Sequence, residues 1–168
     1  MLLDAPQPPL WIPRCFQPRR KHDVDALKRA LRDVLQRIIT QQPIEYSVSS
    51  HAAENFQQLK AASTSRLVVL GPFSDRTIYG EPAYNHLQRA CHDNWHLRLN
   101  ADTDVHGEYR VAIAQANEVA RVAGDTLADF VFADLFGQTL FMQKYLRFPE
   151  DQVGFVLDFI TTGRIEVF

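Results

Sequence analysis

Six residues, CHDNWH from Cys91 to His96, bring two histidines, an aspartate and a cysteine together in a chain that has six histidines in all. Three chemistries compete for such a stretch: a metal site, a thiol nucleophile with an imidazole base, and the hydrated side of an ordinary helix. His92 and His96 are spaced i, i+4, which makes them neighbours on one helical face and lets two imidazoles share an ion. Cys91 and His92 are adjacent and point about 100° apart on a helix, so a thiol–imidazole pair is disfavoured. Cys91 falls among apolar positions, where a free cysteine acts as a small hydrophobe.

Placed on a helical wheel, residues 82–99 build an apolar arc from Ala83, Leu87, Ala90, Cys91 and Trp95, and put His92 and His96 opposite it with Asn85 and Arg89. Taken alone, this predicts a hydrated histidine face. The two following helical stretches point elsewhere. Glu108 and Gln115 fall inside the arc of Val105, Tyr109, Val111, Ala112, Val119 and Val122, while Asp134 and Gln138 fall between Leu127, Phe130, Val131, Phe141 and Tyr145. A buried carboxylate must be paired, protonated or given a cation. The inward acids therefore demand a polar focus, and the histidine face is the nearest group in the chain to supply it.

The expected ligand set is His92, His96, Glu108 and Asp134, two nitrogens and two carboxylates that suit zinc, manganese or ferrous iron. Gln138 and Gln115 are expected to orient water, substrate or ligand. Gln138 and Asp93 are the candidate catalytic side chains. Asp93 lies about 100° from His92, near His86 and Arg89 at helical spacing, which predicts an exposed ion pair and no direct ligation. His106, in a first helical turn, reads as a surface residue or an extra ligand. The competing reading is a buried histidine–carboxylate–glutamine network that fixes helix packing.

The elements that must hold these groups follow from periodicity. Residues 1–22 are proline-rich and irregular. Residues 23–168 read as one globular domain, opening with a basic amphipathic helix at 23–40 that Asp23 or Asp25 caps and Pro43 stops. Residues 44–80 mix two short strands, IEYSVSS and RLVVLGPF, with a short helix, AAENFQQLKAA. Helices are expected at 82–99, 104–123, 126–146 and 150–161, forming an antiparallel bundle across 82–162. GRIEVF at 163–168 reads as a strand that pairs with the middle sheet. The fold class is α+β, mainly α. GPFSDRTIYGEP has neither phosphate-loop nor dinucleotide spacing, and is read as a loop over the site.

At 168 residues and 46% hydrophobic content the chain can bury one sizeable core. No apolar run spans a membrane, and Asp4 with the early prolines breaks any signal-peptide pattern, so a cytoplasmic protein is expected. Cys15 and Cys91 are too few for a disulfide framework. The net charge of −2 hides an asymmetry, with eight basic and three acidic residues between Arg14 and Arg37. That segment, with Arg19, Arg20 and Lys21, could meet nucleic acid or an acidic partner; a hydrated basic helix docked on an acidic body is the favoured reading.

HDNWH is similar to the H-D-x-x-H core of HD-domain metal phosphohydrolases. That resemblance implies His51 as an upstream ligand and Asp134 as a downstream one, although strand-like RLVVLGPF stands where that family is helical. Over about half the chain, YNHLQRACHDNWH, HGEYRVA and FADLFGQTLF resemble a recurring helical segment of uncharacterised bacteriophage and mobile-element proteins. This likeness marks His92, Asp93, His96, Gly107, Glu108, Asp134, Gly137 and Gln138 and implies no particular activity. The expected function is a metal-dependent hydrolase acting on a small-molecule or phosphate-containing substrate. The alternative is a non-enzymatic interaction protein of a phage or mobile element, binding a host protein or nucleic acid through the basic N-terminal helix.

Overall fold

The computed structural model describes residues 23–62 and 66–165. Helix α1 (Val24–Gln41) begins where Asp23 accepts hydrogen bonds from the backbone of Asp25 and Ala26, which makes Asp23 the cap. Its buried residues, Leu27, Leu31, Val34, Leu35 and Ile38, recur at helical spacing and face the bundle. Its cations turn to the protein body. Arg32 pairs with Glu81 and lies over the Tyr84 ring, and Arg37 donates to the Val122 carbonyl.

Strands β1 (Tyr46–Ser49) and β2 (Leu67–Leu70) pair in parallel, Tyr46 opposite Leu67 and Ser49 opposite Leu70. A parallel pair requires a long crossover, and α2 (Phe56–Ala62) lies within it. Phe56, Leu59, Leu67, Val69 and Ala90 form a small core that seats this unit on the next helix. Gly163–Ile165 carries no strand and residues 166–168 lie outside the described residues, so the described sheet consists of β1 and β2.

The remaining helices are α3 (Pro82–Leu99), α4 (Val105–Ala123), α5 (Asp125–Phe132), α6 (Gln138–Tyr145) and α7 (Gln152–Thr162). They pack with α1 around one large core in which Phe130, Phe141, Phe155 and Ile160 are fully buried. The fold is thus mainly helical with a small sheet, as the periodicity predicts. No helix among the described residues is long and apolar enough to cross a membrane.

The expected helix over 126–146 is interrupted. Ala133–Gly137 forms a π turn between α5 and α6, with the polypeptide continuing helically on both sides. Such turns are rare and recur at functional sites. Here the turn carries Asp134. At its end, a Cβ on Gly137 would stand 2.9 Å from the Phe159 ring of α7. The glycine lets α7 close directly over the turn.

Candidate metal centre

The site is built along α3. Asn85, Gln88 and His96 are buried and His92 is half-buried, so positions 85, 88, 92 and 96 form a polar stripe at helical spacing. The hydrated face expected for His92 and His96 is therefore an inner wall, and Ala83, placed in the apolar arc, is exposed. A helix wedged between the sheet and α4 buries two sides at once, and a wheel can nominate only one. Cys91 occupies the other buried side, where burial pushes its thiol up to about 12 and leaves it an inert hydrophobe.

Ligand atoms of three residues converge. His92 Nε2 and His96 Nε2 are 3.0 Å apart, His92 Nε2 is 3.1 Å from Glu108 Oε2, and His96 Nε2 is 3.3 Å from Glu108 Oε1. Each imidazole is held from behind. His96 Nδ1 lies 3.0 Å from the Ala101 carbonyl oxygen, and His92 Nδ1 lies 3.2 Å from Gln115 Oε1. A carbonyl oxygen only accepts, so each Nδ1 is the donor, and each Nε2 faces the other ring and the carboxylate with a lone pair when its ring is neutral or with a proton to donate when it is charged. Two neutral rings and a carboxylate facing one another at this range call for a proton or a metal ion between them. An ion held at about 2.0–2.1 Å by nitrogen and oxygen ligands sets neighbouring tetrahedral ligands about 3.3 Å apart. The two nitrogens, 3.0 Å apart, approach this spacing, Glu108 turns one oxygen toward each ring, and one ligand atom from each of the three residues lies within 4.8 Å of the others.

Electrostatics agree with the geometry. Burial alone would raise Glu108, but the hydrogen bonds and charges of His92 and His96 hold its carboxyl well below the usual range. Burial lowers His92, and the bond to Glu108 and its charge more than reverse this, so His92 ends above its ordinary value.

Local backbone features bring these groups together. Asp104 caps α4 by accepting from Gly107 N, which sets Glu108 in the first turn, facing α3. A Cβ on Gly107 would lie 1.8 Å from the Asp102 carbonyl oxygen. Glycine here lets the α3–α4 loop fold against α4, and that loop carries the Ala101 carbonyl that fixes His96.

Asp134 lines the same cleft and lies outside the cluster of three. Its carboxylate accepts from Gln138 Nε2 at 2.5 Å, and the fully buried Tyr79 hydroxyl is coupled to it electrostatically. Burial lifts Asp134 to about 6, against the opposing pull of Gln138, Tyr79 and His92. Asp93 is half-buried in the cleft wall, where burial raises it despite His92 and His96. Rather than joining Asp93 in an exposed ion pair, Arg89 donates to the Leu70 and Pro72 carbonyls, while His86 Nε2 donates to Gly71 O at 3.0 Å. Both side chains anchor the loop after β2. That loop borders the site through Phe73, and its Ile78 and Tyr79 are buried in the core.

His92, Asp93, His96, Glu108, Asp134 and Gln138 all line one cleft of about 790 Å³. His51 is exposed between β1 and α2 and His106 is exposed on α4; neither lines the cleft. Arg19, Arg20 and Lys21 lie outside the described residues. The sequence places Asn85 on the histidine face without marking it as a site residue and misses Gln88, whose spacing of three from Asn85 and four from His92 is the signal for the same wall. No family model matches the chain, and neither do the curated proteins or the solved structures with which it was compared.

Proposed function

We propose that the chain is a metal-dependent hydrolase whose His92, His96 and Glu108 hold one divalent ion, zinc, manganese or ferrous iron, at the base of the cleft. The observation that carries this reading is the convergence of ligand atoms, in which each Nδ1 lies against an oxygen and each Nε2 faces a carboxylate oxygen of Glu108. Histidines that bind metal are oriented by this kind of hydrogen bond from the far nitrogen. Three protein ligands leave further coordination positions toward the cleft, as catalytic sites require.

A divalent ion in this place supplies Lewis acidity and lowers the pKa of a bound water. The chain supplies the rest. Asp134, at about 6, takes and returns a proton near neutral pH, and Gln138 fixes its carboxylate. Asp93 gives the opposite wall a second carboxyl group. In hydrolysis, the oxygen of water bonds to the acyl or phosphoryl centre, the bond to the leaving group breaks, and the leaving group departs with a proton.

The test is metal stoichiometry in the full chain. Desalted protein incubated with zinc or manganese is expected to retain one ion per chain, to melt at higher temperature than in chelator, and to lose both properties in His96→Ala. Wild-type protein that retains no ion and melts identically with and without chelator overturns the reading. It would leave the three groups as a proton-bound packing network.

A further inference from the structure

The cleft describes its ligand beyond the ion. Five carboxyl groups line it, those of Glu54, Asp93, Asp104, Glu108 and Asp134, against a single guanidinium among the described residues, Arg89, already tied to two backbone carbonyls. Phosphoryl groups are recognised by arginine, lysine or free helix N-termini. The α4 N-terminus at this cleft is capped by the Asp104 carboxylate. A dianionic head would meet repulsion on most sides.

Two other features point to what does fit. Gln88 lines the cleft one helical turn before His92, and its Nε2 is buried without a hydrogen-bond partner. The residue is 3% exposed. A buried amide donor left unmet costs stability in the free protein and is recovered by an acceptor that enters. Three large hydrophobes stand exposed on the cleft's rim: Phe73, Leu146 and Phe148 are 73%, 86% and 50% exposed and all border it. Phe73 and Leu146 also adopt positive φ, 61° and 57°, a conformation that disfavours bulky side chains. Large hydrophobes held in this way around a polar pocket mark a ligand-binding surface.

We propose that the cleft binds a neutral or singly charged acyl compound, an ester or amide with an apolar chain. The Gln88 amide meets its carbonyl oxygen, and the chain lies on Phe73, Leu146 and Phe148. This deepens the hydrolase reading and rests on it for the reaction: water's oxygen bonds to the acyl carbon, the bond to the alcohol or amine breaks, and that group leaves with a proton. The binding contacts themselves do not need the ion.

The experiment is calorimetric titration of the zinc-loaded full chain with octanohydroxamate, butanohydroxamate and octyl phosphate, and of the chain in chelator with octanamide and butanamide. Each added methylene is expected to tighten binding about threefold. Gln88→Met is expected to weaken every acyl probe by about 5–10-fold. It should leave the melting temperature unchanged or raised, which a merely structural glutamine would not do. Octyl phosphate is expected to bind at least about tenfold more weakly than octanohydroxamate. Phe73→Ser with Phe148→Ser removes the dependence on chain length. Octyl phosphate binding as tightly as octanohydroxamate, or indifference to chain length or to Gln88→Met, overturns the proposal. If zinc is not retained while octanamide keeps both dependences, the hydrolase reading falls and the ligand class stands; if zinc is retained and both dependences are absent, the reverse holds.

Discussion

His92 Nε2 and His96 Nε2 stand 3.0 Å apart, each with its Nδ1 donating to an oxygen fixed by a different part of the chain, Gln115 of α4 and Ala101 of the α3–α4 loop. Two neutral imidazoles held in this way repel one another unless a proton or a metal ion lies between them. The i, i+4 spacing makes the pair possible, and the two distant acceptors select which nitrogens meet.

Removing one of those acceptors isolates its contribution. Gln115→Leu leaves all three ligands in place and frees the His92 ring. Zinc affinity is expected to fall about 10–100-fold, as for other groups that orient metal-bound histidines. Competition titration against a chromogenic chelator measures it, and an unchanged affinity would mean that His92 is oriented by packing alone.

Gly107→Ala tests the backbone route to the site. The added methyl would meet the Asp102 carbonyl oxygen at 1.8 Å, so the loop must move and carry Ala101 O away from His96 Nδ1. Both melting temperature and zinc affinity are expected to fall, the first by an amount typical of overpacking, about 1–3 kcal/mol. A variant that keeps wild-type affinity would show that the His96–Ala101 hydrogen bond is dispensable.

Protons and metal compete for the three ligands. Glu108 is depressed in the folded chain, so its contribution to stability is present above the unfolded value near 4.5 and is lost as pH falls through the lower folded value. His92 is raised, so its contribution is present below about 6.5 and is lost as pH rises through its higher folded value. In chelator, the melting-temperature difference between wild type and Glu108→Gln is expected to be largest between pH 4.5 and 6.5. With zinc present the order inverts, and retention of the ion rises toward pH 8 as His92 loses its proton. A difference that does not vary with pH would separate Glu108 from the histidines.

Asp134 follows the opposite rule to Glu108. Its value of about 6 lies above the unfolded 3.8, so it favours the fold in its protonated form, fully below about pH 4, and this advantage is lost as pH rises through 6. Asp134→Asn is therefore expected to stabilise the protein at pH 8 by about 1–3 kcal/mol, or a few degrees in Tm, with little difference at pH 4. Chemical denaturation at the two pH values reads this directly. Under the hydrolase reading, the same variant loses most of its turnover while keeping its metal.

Much of this molecule is legible in the one-dimensional pattern. The apolar period of α1 and α4, the Asp23 cap and the helical stretches read at 82–99, 104–123 and 150–161 place those elements within a few residues, because helix ends are decided by local chemistry. Glu108, Gln115 and Asp134 announce themselves as polar groups inside apolar arcs, since one face of a helix packs against one neighbour. Three matters were settled only by the tertiary structure. The π turn at Ala133–Gly137, and the close packing of α7 on its glycine, are visible only in three dimensions. The burial of His96, Gln88 and Asn85 depends on α3 having neighbours on two sides, which a single apolar arc does not encode. That Asp134 lies outside the cluster of His92, His96 and Glu108, with its carboxylate held by Gln138 one turn on, depends on how the π turn sits against α3 and α4. Local propensity depends on neighbours in sequence. Which polar groups meet across a core depends on how whole helices pack.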